Sequence, residues 1–160
     1  MLLPRWQVSI DLNIGWRPKN EDSYFLEADF LHTEFENSVA LFSVFDGHGG
    51  KCSDNPGAEI STFAKKNILD ILTRNHNFHK GKYSEALRET FLELDLMMVR
   101  DQGRRKLQEI AKEIRGSKYG CNHNFAMLQG STALVVLITE NEIYIANAGD
   151  SKAVVYGLDN

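Results

Sequence analysis

The stretch Val44 to Gly50, "VFDGHGG", joins the end of an apolar run to one aspartate and then to three glycines that enclose a histidine. A carboxylate at the end of a buried strand is costly unless something pairs with it, and the glycines leave the backbone bare enough for a ligand to approach. A hard cation is the natural partner. Mg²⁺ and Mn²⁺ prefer oxygen ligands, keep several waters and are commonly held by one or two carboxylates. Asp46 is therefore a candidate metal ligand and the carbonyl of Gly47 a candidate further oxygen. The same Asp-Gly pair also reads as a plain turn former after a strand.

Two other stretches bear on that choice. "GWRPKNEDSYF" (15–25) carries Arg17, Glu21 and Asp22, one guanidinium fork suited to phosphate and two acids within reach of one loop. "NAGDSKAVVY" (147–156) repeats the order of strand, glycine and aspartate at Asp150. Each has an ordinary reading too: Arg17 could pair with Glu21 on the surface, and Asp150 could form a hairpin turn. Together, scattered carboxylates and one guanidinium are the toolkit of metal-assisted phosphate-ester hydrolysis. Cys52 and Cys121 stand in no CxxC spacing and read as two reduced thiols. A nucleotide-phosphate loop at "GHGG" is disfavoured because no Gly-Lys-Ser/Thr follows.

The elements that must position these groups show in the hydrophobic period. "WQVSIDL" (6–12) and "SYFLEADF" (23–30) alternate as strands around a turn, and the more continuously apolar "SVALFSVFD" (38–46) is expected to lie centrally in a sheet. Ile60, Phe63, Ala64, Ile68, Ile71 and Leu72 form one helical stripe, and Leu87, Phe91, Leu94 and Met98 a second. Residues 101–128 are polar and read as a solvated connector or insertion, although Leu107, Ile110, Ala111 and Ile114 could continue a helix. Three strands follow, "STALVVLITE", "EIYIANAG" and "KAVVYG", with a tight turn expected at Asn141 and Glu142. Strands, then helices, then strands indicate an α+β domain with antiparallel pairing.

The bulk properties exclude several partners. The chain has 160 residues, 42% hydrophobic and 25% charged, enough for one domain with one core. A net charge of -4 offers no electrostatic footprint for nucleic acid or for an acidic membrane. The longest apolar run, Ala133 to Ile138, is far short of the roughly 20 residues of a membrane span. The N-terminus lacks the pattern of a secretory signal, so a cytoplasmic or nuclear location is expected.

"GWRPKNED", "VFDGHGG", "GSTALVVL" and "NAGDSKAVV", in this order, resemble the metal-dependent serine/threonine protein phosphatases of type 2C, from about residue 6 to the end. The resemblance implies a layered α-β-β-α sandwich of two antiparallel sheets flanked by helices, with two Mg²⁺ or Mn²⁺ ions at one edge and a weaker third. It also implies roles. Asp46 would bridge two ions about 4 Å apart; Gly47 would lend its carbonyl and Glu21 would support the same ion. Asp22 would orient the attacking water, Arg17 would hold the phosphate of a phosphoprotein substrate, and His48 would be the general acid. Asp150 would belong to the third site.

The family's domain continues past the strand that precedes Asp150 and carries further ligand aspartates there. The chain is thus expected to be the N-terminal portion of one such domain (1–160), with an insertion within 101–128. Unpaired sheet edges would then favour a homo-oligomer. A phosphatase-like binding or regulatory module without catalysis is the alternative.

Overall fold

The computed structural model describes residues 7–17, 19–31, 38–49, 57–116 and 129–157. At its centre is β2 (Val39–Gly49), whose burial alternates because successive side chains of a strand point to opposite faces. Val39, Leu41, Ser43 and Phe45 point to the covered face and are buried, while Val44, Asp46 and His48 on the other face are exposed. On one side β2 pairs antiparallel with β1 (Asp22–Leu31), and on the other with β4 (Ala133–Ile138). β5 (Ile143–Ala148) lies beyond β4, and the short β3 (Gln129–Ser131) pairs with the last three residues of β2. The sheet order is β1-β2-β4-β5, with β3 off that path.

Helices cover one face of this sheet. α1 (Ala58–Arg74) lies on β1 and β2 and buries Ile60, Phe63, Ala64, Ile68 and Leu72 there. A fully buried side chain of this kind stabilises the fold by about 1.5–3 kcal/mol. The short α2 (His76–His79) is capped by Asn75, whose side chain accepts the Asn77 N–H at 2.8 Å. α3 (Tyr83–Val99) reaches β5, and the Tyr83 ring meets Phe78 and Tyr144 edge-on, each at 5.4 Å. α4 (Asp101–Arg115) packs on α1 and α3.

Several expectations change at this point. Residues 101–115 are a helix with Leu107, Ile110 and Ala111 buried, not a solvated connector. The three apolar residues share one stripe and outweigh the surrounding polar residues. Residues 117–128, with Cys121, lie outside the described residues, as does Cys52. No strand forms at 7–12, where Val8 and Leu12 are exposed, nor at 152–157, where Val154, Val155 and Tyr156 are exposed. Alternation alone makes no strand without a neighbour to complete its ladder. The β4–β5 turn is centred on Glu140 and Asn141, one residue earlier than expected, because Thr139 N–H donates to the Glu142 carbonyl at 2.9 Å.

The described residues thus contain helices plus one antiparallel sheet of five strands, the incomplete α+β arrangement. The sheet's second face carries Leu26, Val44, Ile143 and Ile145, each at least about a third exposed. No helix among the described residues is long and apolar enough to cross a membrane.

Candidate metal and phosphate site

The site lies where β2 changes partners. Asp46 faces Asp22 in the terminal register pair with β1, pairing with β4 extends to Val44, and pairing with β3 begins at Gly47. Asp46 is therefore at a seam inside the strand, three residues before its end, and not at the strand terminus that the sequence suggested. Its main chain is held there from both sides by Thr132, the residue between β3 and β4. Asp46 N–H donates to Thr132 Oγ1 at 3.1 Å, and Thr132 N–H donates to the Asp46 carbonyl at 2.8 Å. Thr132 Oγ1 also shares a 2.8 Å hydrogen bond with Ser151 Oγ, which ties the Asp150 loop to the same point.

Arg17, Glu21, Asp22, Asp46, Gly47, His48 and Asp150 all line one cleft of about 500 Å³. The structure thus brings together residues that the sequence scatters over more than 130 positions, since 150 − 17 = 133. Asn20 positions the acidic pair, its side-chain oxygen accepting the Asp22 N–H at 2.9 Å.

Main chain approaches Gly47 closely. A Cβ at Gly47 would stand 2.5 Å from the Gly57 carbonyl oxygen and 2.6 Å from that of Glu21. The bare backbone at 47 admits the chain's own main chain. Gly50 lies outside the described residues. A second close approach occurs at Gly130, opposite His48 in the β2–β3 register, where a Cβ would fall 2.7 Å from the imidazole Cε1. The ring of His48 lies on that glycine.

The acids repel one another. Burial pushes the Glu21 carboxyl above its usual range; Arg17 opposes this, while Asp46, Asp22 and Glu59 add to it. Burial also raises Asp22, joined by the charge of Asp46 and by a hydrogen bond between the two carboxyls that favours protonated Asp22. Like charges directly opposite across a strand pair are destabilising, and either a proton or a cation between them would relieve the pair.

Among the described residues, no three His, Cys, Asp or Glu side chains form a ready-made ligand cluster. The donors are nevertheless all oxygen, and Mg²⁺ is usually held by one or two carboxylates with water filling the remaining positions. On donor type and on uncompensated negative charge, the residues fit a hard divalent cation. Sequence reasoning missed Thr132 and Lys19, which also line the cleft. Both stand inside motifs already singled out, but a hydroxyl that binds main chain and a lysine near a guanidinium give no spacing signal of their own.

The family model "Protein phosphatase 2C" matches residues 6–160. The chain is 36% identical over 141 residues to Protein phosphatase 2C 1 of Paramecium tetraurelia, covering 88% of this chain and 40% of that protein. It is 30% identical over 141 residues to Protein phosphatase 2C homolog 2 of Saccharomyces cerevisiae, covering 88% of this chain and 25% of that protein. The homologue of the same name from Hypocrea jecorina is 30% identical over 146 residues, with 27% of its length covered. The chain therefore spans two fifths or less of the length of these relatives.

Proposed function

This chain belongs to the protein phosphatase 2C family, and on that premise we propose that it carries the first part of a metal-dependent active site that hydrolyses phosphoserine and phosphothreonine in proteins. The observation behind the proposal is the single cleft holding Arg17, Glu21, Asp22, Asp46, His48 and Asp150. Asp46, Glu21 and the Gly47 carbonyl would hold the cations, Mg²⁺ or Mn²⁺, with Asp150 at a weaker third position. When bound, these ions supply charge neutralisation and a water acidified to near-neutral pKa for attack on phosphorus.

The chain's own residues take the remaining tasks. Arg17 offers a planar fork of donors that matches two phosphate oxygens at once. Asp22, held by Asn20 and facing Asp46, would accept a hydrogen bond from the attacking water and orient it. His48, exposed at the cleft and lying on Gly130, would hand a proton to the departing seryl or threonyl oxygen.

The test is hydrolysis of a small phosphate ester by the purified chain with and without Mn²⁺, beside an Asp46→Ala control. Mn²⁺-dependent turnover that the control lacks is expected. Equal rates in all samples would favour a phosphatase-like binding module instead.

A further inference from the structure

Ser61 stands in the first turn of α1, is fully buried, and does not line the cleft. Its hydroxyl lies 2.6 Å from the carbonyl oxygen of Glu21 and 3.2 Å from that of Ala58, its own helix neighbour. One hydroxyl carries one proton, and the much shorter contact assigns that proton to Glu21. The Ser23 hydroxyl, 3.3 Å from Ser61 Oγ, can in turn donate to it. A chain of hydroxyls therefore runs from β1 through α1 to the carbonyl just before Asp22.

That carbonyl is the same oxygen that occupies the notch left by the missing side chain of Gly47, 2.6 Å from where a Cβ would be. It is thus located from two sides, by α1 and by β2. The peptide that carries it joins Glu21 to Asp22, the residue opposite Asp46 in the β1–β2 register.

We propose that Ser61 is a positioning residue for the metal site, setting the placement of Glu21 and Asp22 against Asp46 through its hydrogen bond to the Glu21 carbonyl. The inference rests on the cleft reading above for its functional meaning, and on the hydrogen bond alone for its structural content. Supporting residues one step behind metal ligands typically alter affinity about 10–100-fold.

The test compares Ser61→Ala, Ser61→Thr and a control, Thr73→Val, which removes a hydroxyl bonded at 2.8 Å to the Leu69 carbonyl on the same helix, away from the cleft. In metal-free amide spectra of the chain, Ser61→Ala is expected to shift the resonances of residues 21–23 and 46–48, and Ser61→Thr to restore them. Mn²⁺ is then titrated while paramagnetic broadening of the Asp46 and Gly47 amides is followed. Ser61→Ala is expected to need about tenfold more Mn²⁺ for half-effect, with Ser61→Thr and Thr73→Val near wild type.

Amide shifts confined to α1, or an Mn²⁺ midpoint that does not move while thermal stability falls equally in Ser61→Ala and Thr73→Val, would overturn the proposal. If Ser61→Ala does not fold, Ser61→Cys, which keeps a weaker donor, is read in its place. A wild-type chain that shows no Mn²⁺ broadening would sink the metal reading and leave Ser61 to be decided by the metal-free spectra.

Discussion

Two carboxylate groups in this molecule receive opposite treatment. On the helical layer, Glu89 accepts side-chain amide hydrogen bonds from Asn75 and Asn77, each at 3.0 Å, and these donors lower its pKa. In the cleft, Glu21 and Asp22 meet burial and the charge of Asp46, which raise theirs, against the single opposing charge of Arg17. The first carboxylate is satisfied by its own neighbours. The second group is left with negative charge that the fold does not neutralise, and such a deficit is what an external cation can fill. Position in a cleft and an unmet electrostatic demand together separate a working acid from a structural one.

The sharpest break in that contrast is Asp46→Asn. It is expected to weaken Mn²⁺ binding in calorimetry by more than the roughly 100-fold that losing a supporting residue costs. The same change removes a like charge facing Asp22, so the metal-free chain is expected to melt higher than wild type at neutral pH. Glu89→Gln should leave Mn²⁺ binding untouched.

Next in size is Gly47→Ala. Its Cβ meets two main-chain oxygens that cannot rotate away, and a loss of about 3 kcal/mol in denaturant unfolding is expected, at the upper end of overpacking costs. Thr132→Val keeps the shape but removes the acceptor for Asp46 N–H and the bond to Ser151. Its expected cost is about 1–2 kcal/mol, together with weaker Mn²⁺ binding.

The smallest effects lie in the pH dependence of melting, where the two groups should differ in sign. For Asp22 and Glu21 the folded pKa is raised. They cost nothing below their unfolded pKa, and metal-free stability falls as pH rises from about 4 through the raised values. For Glu89 the folded pKa is lowered, so its contribution is present above the unfolded pKa and disappears as pH falls through the folded one. Asp22→Asn should flatten the first slope and Glu89→Gln the second. If both variants flatten the same limb, the contrast is wrong.

The central strand and the two longer stripes of helix could be read from the sequence because burial there follows a simple period: alternate residues from Val39 to Phe45, and three-and-four steps from Ile60 to Leu72. The stripe in α4 was visible too but lost to the weight of charge around it. Strands at 7–12 and 152–157 were misread since their alternation is genuine yet no partner strand lies beside them among the described residues. In the cleft, the acids and Arg17 announce themselves by type and motif. Ser61 and Thr132 do not, because each acts on main-chain atoms of residues 40 or 86 positions away. The close approach of main chain at Gly47 was not legible for a similar reason: a sequence shows that a side chain is missing but not what lies against the gap.

One consequence follows from the way β2 passes without interruption from the core into the cleft. Val39, Leu41 and Phe45 are anchored under the helices, and the next residue is Asp46. Whatever grips that aspartate takes hold of a rod whose other end is embedded in the hydrophobic core. Occupancy should therefore be felt as resistance to mechanical extension along the whole strand, so that a chain pulled from its ends would yield at a higher force with the cleft filled than with it empty.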